Sequence, residues 1–113
     1  MIPSNETFDG TWPFVPQFTR VSGFEQHYVD EGPRDGQVIL CLHGEPTWGY
    51  LYRKMIAPLS TTFRVVVPDH MGFGKSETPQ DRVYTLQTHV ENLERFVEEL
   101  DLRDVTLVCQ DWG

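Results

Sequence analysis

The chain's 113 residues are enough for one hydrophobic core, and also about the size of half of many larger single-domain enzymes. A net charge of -8, with 9 Lys and Arg against 17 Asp and Glu and no basic cluster, argues against a nucleic-acid partner, which needs cations to displace phosphate counterions. The start lacks a basic segment leading into an apolar stretch, and no run of about 18 apolar residues occurs, so neither a secretion signal nor a membrane span is expected.

Residues 1–16 set Pro3, Pro13 and Pro16 among Phe8, Trp12 and Phe14, a composition that predicts an irregular arm held to a surface by its aromatic rings. Residues 17–113 then read as part of one core domain. Phe18 to Val21 and Glu25 to Asp30 are expected as two short strands about a turn at "SGF", followed by a loop at "EGPRDGQ". Three further runs, Val38 to Leu42, Phe63 to Val67 and Val105 to Cys109, are short and β-branched and do not alternate. They read as strands buried on both faces of a parallel sheet.

Between these runs lie helical patterns. Trp48, Leu51, Tyr52, Met55, Ile56 and Leu59 fall on one stripe, and so do Leu86, Val90, Leu93, Val97 and Leu100, whose neighbours Glu91, Glu94, Glu98 and Glu99 make a wet face. Strand and helix in alternation predict a doubly wound α/β sheet. Cys41 and Cys109 both sit in apolar runs without CxxC spacing and are read as reduced core residues of a cytoplasmic protein.

In such a sheet, chemistry sits beyond the carboxyl ends of the strands, here "HGEPTW", "PDHMGFGKS" and "QDWG". Cys109-x-Asp111-x-Gly113 has the small-x-nucleophile-x-small spacing of a strand-to-helix elbow, although an aspartate capping the next helix fits the same five residues. A nucleophile there needs two backbone N–H donors; Trp112 supplies one and Glu45, in the loop after Val38 to Leu42, can offer the other. A carboxylate with a pKa of roughly 4 is already ionised at neutral pH, so Asp111 points to attack on saturated carbon.

The other motifs carry less. "GFGKS" is not a phosphate-binding loop, because Asp69 stands where that motif needs glycine. Asp69, Gly72, Gly74 and Ser76 read instead as a structured turn. His43 and His70 precede the nucleophile, whereas the base of hydrolases with this layout follows it, so they and His27 and His89 are read as structural. No metal-ligand spacing is present and no cofactor is expected; Trp12 and Trp48 are expected to pack.

The blocks "CLHGEPTWGYLYRKM", "VVVPDHMGFGKSETP" and "LDLRDVTLVCQDWG" resemble haloalkane dehalogenases of the α/β-hydrolase fold, from about Phe18 to the end of the chain. The resemblance implies the N-terminal half of that fold, a mostly parallel doubly wound sheet ending at the nucleophile elbow with the cap outside this chain. It implies an alkyl ester formed on Asp111 with loss of halide, Trp112 as halide donor, and Glu45 and Trp112 N–H groups as the oxyanion site. The partners it implies are a small haloalkane, water, the halide product and a C-terminal remainder carrying the base histidine, the acid that orients it and the second halide donor. An ionised Glu45 side chain accepts hydrogen bonds and cannot bind halide. An epoxide hydrolase is the nearest alternative, disfavoured by Glu45 and Gln110, where that group usually carries an aromatic and a histidine. A non-catalytic binding module on the same fold is the other.

Overall fold

A computed structural model describes residues 2–111. The β-branched runs pair into one five-stranded sheet of order β1-β2-β4-β3-β5: β1 Gln17–Thr19, β2 Gln26–Glu31, β3 Val38–Leu42, β4 Arg64–Pro68 and β5 Thr106–Cys109. β3 runs parallel to β4, with Ile39 opposite Val65, and parallel to β5, with Leu42 opposite Cys109. The β1–β2 and β2–β4 pairs are antiparallel. The sheet is therefore mixed, with its parallel part confined to β3, β4 and β5.

Alternation along β3 divides the core in two. Ile39 and Cys41 join Val29, Val65 and Val67 on one face, under Tyr52 and Ile56 of the first crossover. Val38, Leu40 and Leu42 join Val66 on the other, under Phe96 of the second. One helix on each face is the doubly wound arrangement expected.

The first crossover is a 3-10 turn, Gly49–Tyr52, leading into α1, Arg53–Leu59. The tighter turn shifts the phase of the stripe, so Leu51 is exposed while Tyr52 and Ile56 are buried. Tyr52 Oη donates to Leu42 O at 2.6 Å, satisfying a hydroxyl that burial holds protonated up to about 12. The second crossover, α2 Leu86–Glu99, starts at Thr85, whose Oγ1 accepts the Thr88 N–H at 3.1 Å.

The buried residues of α2 are Asn92 and Phe96, not the N-terminal part of the expected stripe: Leu86 and Val90 are exposed. The helix is rotated so that Phe96 reaches Tyr28 and the β3 side chains, which leaves Leu86 and Val90 over a groove shared with Leu42, Leu93 and Leu107.

β5 is paired on one side only among the described residues, at the edge of the sheet, and its residues are exposed or half-buried. Cys109 is accordingly exposed, whereas Cys41 is in the core, where burial raises its thiol pKa to about 11.

The aromatic arm penetrates further than a surface dressing would. Trp12 is fully buried against Tyr52, Ile56, Val65 and Val67, with Trp48 and Phe14 rings 5.0 and 4.9 Å away. Lys75 ties the arm down by donating from Nζ to Ser4 O and Glu6 O at 2.9 and 2.8 Å.

Candidate active site

Three loops leave the carboxyl ends of β3, β4 and β5, and the parallel register brings them to one end of the sheet. Asp111 lies two residues past the end of β5 with φ at 57°, in the left-handed region that costs a non-glycine residue strain. Gln110 N–H donates to Leu42 O at 3.3 Å, so the chain holds to β3 until the residue before Asp111 and then turns sharply. The side chain is exposed at the sheet's end.

Glu45 lies across from it. Its backbone N–H donates to Asp111 Oδ2 at 3.2 Å, joining residues 66 apart in sequence. The approach requires glycine at position 44: a Cβ there would stand 2.4 Å from Asp111 Cβ and 2.6 Å from Gln110 O. The Glu45–Pro46 peptide is cis and the Glu45 side chain is exposed. Trp112, expected to donate both the second backbone N–H and the indole N–H, lies outside the described residues, as does Gly113.

Behind the Glu45 loop stands a wall of histidines. His43 is fully buried with its ring 4.4 Å from that of His70, which is 5.5 Å from that of His89. Hydrogen bonds fix two tautomers. His43 Nε2 accepts the His70 N–H at 2.9 Å, so its proton is on Nδ1, which donates to Gly44 O at 2.8 Å. His70 Nε2 donates to His43 O at 3.1 Å.

All three rings resist protonation. Burial pushes His70 down to about 4, helped by the neighbouring His43 and His89. Burial also lowers His43 and His89, with Glu45 drawing His89 part of the way back. The three rings line a pocket with Gly44, Glu45, Phe73 and Leu86. Among the described residues no group of three His, Cys, Asp or Glu is arranged to hold a metal ion.

The loop after β4 is built around Asp69, which is fully buried. Its Oδ1 accepts the Gly49 N–H at 2.7 Å; its Oδ2 accepts from Lys75 N at 3.0 Å and from His27 Nδ1 at 2.8 Å. Gly74 is required inside this turn, because a Cβ would meet Asp69 Oδ2 at 2.4 Å and its φ is 54°. Asp69 thus joins the β4 loop to the loop after β3, a tie between carboxylate and distant amide that no local spacing in the sequence reveals.

The chain matches the model of the alpha/beta hydrolase fold over residues 37–113. It is 49% identical to a haloalkane dehalogenase of Psychrobacter cryohalolentis over 88% of this chain and 35% of that protein. It is 47% identical to one of Mycobacterium marinum over 90% of this chain and 37% of that protein. The solved tetrameric haloalkane dehalogenase DpaA of Paraglaciecola agarilytica superposes with a TM-score of 0.86 at 45% identity, covering 91% of this chain and 37% of that one. The chain thus spans little more than a third of the length of the relatives it matches. With the strand order, the left-handed aspartate after β5 and the amide that meets it, these matches make the chain a member of the alpha/beta-hydrolase fold family.

Proposed function

We propose that this chain carries the nucleophile, Asp111, and both oxyanion donors, the N–H groups of Glu45 and Trp112, of a haloalkane dehalogenase. The observation that carries the reading is the Asp111 carboxylate, presented in left-handed backbone beyond β5 and met by the Glu45 N–H at 3.2 Å. Identities near one half to proteins named haloalkane dehalogenase favour a halide over an epoxide oxygen as leaving group.

In the first step an Asp111 oxygen bonds to the carbon bearing the halogen, and the carbon–halogen electron pair leaves as halide on the opposite side. Trp112 gives that anion its indole N–H, a donor with no competing acceptor. In the second step water attacks the ester carbonyl and passes its proton to a histidine outside this chain. The carbonyl oxygen gathers charge against the N–H groups of Glu45 and Trp112. Collapse expels the alcohol and restores the carboxylate.

The same reading takes residues 1–16 as an arm and 17–113 as the front portion of one core domain. It places the protein in the cytoplasm, in keeping with two free cysteines. No helix among the described residues is long and apolar enough to cross a membrane.

The test is halide release from 1,2-dibromoethane and a short bromoalkane, run beside diol formation from an epoxide, on the intact protein. Halide release that vanishes in Asp111→Asn supports the proposal. Diol formation without halide would transfer the site to epoxides, and neither product, with no alkyl mass on Asp111, would leave a binding module.

A further inference from the structure

The Glu45 N–H is held turned towards the exposed Asp111 carboxylate. A peptide unit is planar and trans, so the Gly44 carbonyl and the Glu45 N–H point in opposite directions and must rotate together. Glycine offers little resistance to such a rotation. The restraint comes from the carbonyl side. Gly44 O accepts three hydrogen bonds, from His43 Nδ1 at 2.8 Å, from Thr47 Oγ1 at 2.8 Å and from Thr47 N at 3.1 Å.

Of these donors His43 is the one whose proton location is set from elsewhere. The His70 N–H, delivered by the loop after β4, occupies His43 Nε2 and forces the proton onto Nδ1. The ring is fully buried and cannot swing away to water. We propose that His43 is a positioning residue for this reaction: it locks the Gly44–Glu45 peptide so that the Glu45 N–H faces the oxygen of the Asp111 ester. This rests on the dehalogenase reading above.

The two chemical steps separate this role from simple packing. Alkylation of Asp111 moves charge away from the carboxylate to the departing halide, so an N–H aimed at the carboxylate contributes little to it. Ester hydrolysis drives charge onto the carbonyl oxygen, where a fixed donor matters most. His43 therefore acts on the second step and not on the first.

The experiment follows both steps on the intact protein by rapid quench and mass spectrometry, using a short bromoalkane and reading the alkyl adduct on Asp111. In His43→Gln the amide occupies the place of Nε2, can still accept from His70 N–H, and leaves Gly44 O without its ring donor. The adduct should form at the wild-type rate and decay about 10²-fold more slowly, the scale of losing one oxyanion donor. In His43→Asn the amide nitrogen lies near the place of Nδ1, can donate to Gly44 O, and should restore most of the decay rate. Thr47→Val, which removes a second donor to the same carbonyl at constant shape, should slow decay without slowing formation, and it serves if the His43 variants fail to fold.

Adduct that decays normally in both His43→Gln and Thr47→Val would overturn the proposal while leaving the dehalogenase reading intact. Equal loss in both steps, unrelieved in His43→Asn, would reduce His43 to a packing residue. Absence of any adduct in the wild type would remove the functional reading and this inference with it. Nitrogen-15 spectra of the wild-type imidazole give an independent check: the proton belongs on Nδ1, and finding it on Nε2 would refute the lock.

Discussion

Asp69 shows how one side chain can hold a site together without touching it. Its carboxylate is fully buried and receives three donors, two of them backbone amides from different loops. Removing it strands Gly49 N–H, Lys75 N–H and His27 Nδ1–H where water does not reach, at a penalty of about 1–3 kcal/mol for each unsatisfied group. Asp69→Ala should lower unfolding free energy by at least about 3 kcal/mol in urea titration. A loss under 1 kcal/mol would mean these donors find other partners. Gly44→Ala acts at the same scale, because its Cβ would stand 2.4 Å from Asp111 Cβ. The β3 loop would have to withdraw and take the Glu45 N–H from Asp111, so on the proposed reading decay of the Asp111 ester should slow steeply while the far-ultraviolet spectrum stays native.

The two crossover elements owe their stability to different causes. α2 has a side-chain cap at Thr85 and buries Phe96 completely; α1 is short, contains Pro58, and relies on Ile56 and the preceding Tyr52 packing against Trp12. Phe96→Ala should cost about 3–5 kcal/mol, the range for emptying a buried aromatic site, and Thr85→Ala about 1 kcal/mol for its cap. Leu86→Ala and Val90→Ala, on the exposed part of the apolar stripe, should fall well below the Phe96 value in this chain. Denaturant midpoints across the four variants check the order, and equal losses at Leu86 and Phe96 would contradict the observed rotation of the helix.

Acid should weaken the molecule as a whole through its histidine wall. An unfolded histidine takes a proton near pH 6.5, whereas folded His70 does so only at about 4, and burial lowers His43 and His89 as well. Between those values the unfolded chain binds more protons, so stability is full above about pH 6.5 and falls as pH drops towards 4. His70 alone contributes on the order of 2–3 kcal/mol over that range. Asp30 adds a second, more acidic loss. Burial opposes its charge, but Arg64 at 2.8 Å and Arg34 outweigh it and hold its pKa below the usual carboxylate value, so its contribution disappears as that lowered pKa is crossed. Urea unfolding at pH 7.5 and 4.5 measures the histidine part, and equal stability at the two values would show that the rings are not held neutral.

What the sequence determined by itself is whatever depends on local pattern. Unbroken β-branched runs marked β3, β4 and β5, helical spacing marked the two crossovers, and motif order at the strand ends marked Asp111 and the Glu45 loop, because period and punctuation are properties of neighbours along the chain. What the tertiary structure decided is whatever depends on neighbours in space. β3 is buried on both faces because Tyr52 and Ile56 cover one and Phe96 covers the other, which depends on what packs on a strand and not on its composition. Trp12 could be read as a packing residue, but not as one sunk fully in the core beneath α1. His43 could be seen as structural, but its grip on the Gly44–Glu45 peptide needed the His70 amide, 27 residues on, to be brought within 2.9 Å by the parallel pairing of β3 with β4.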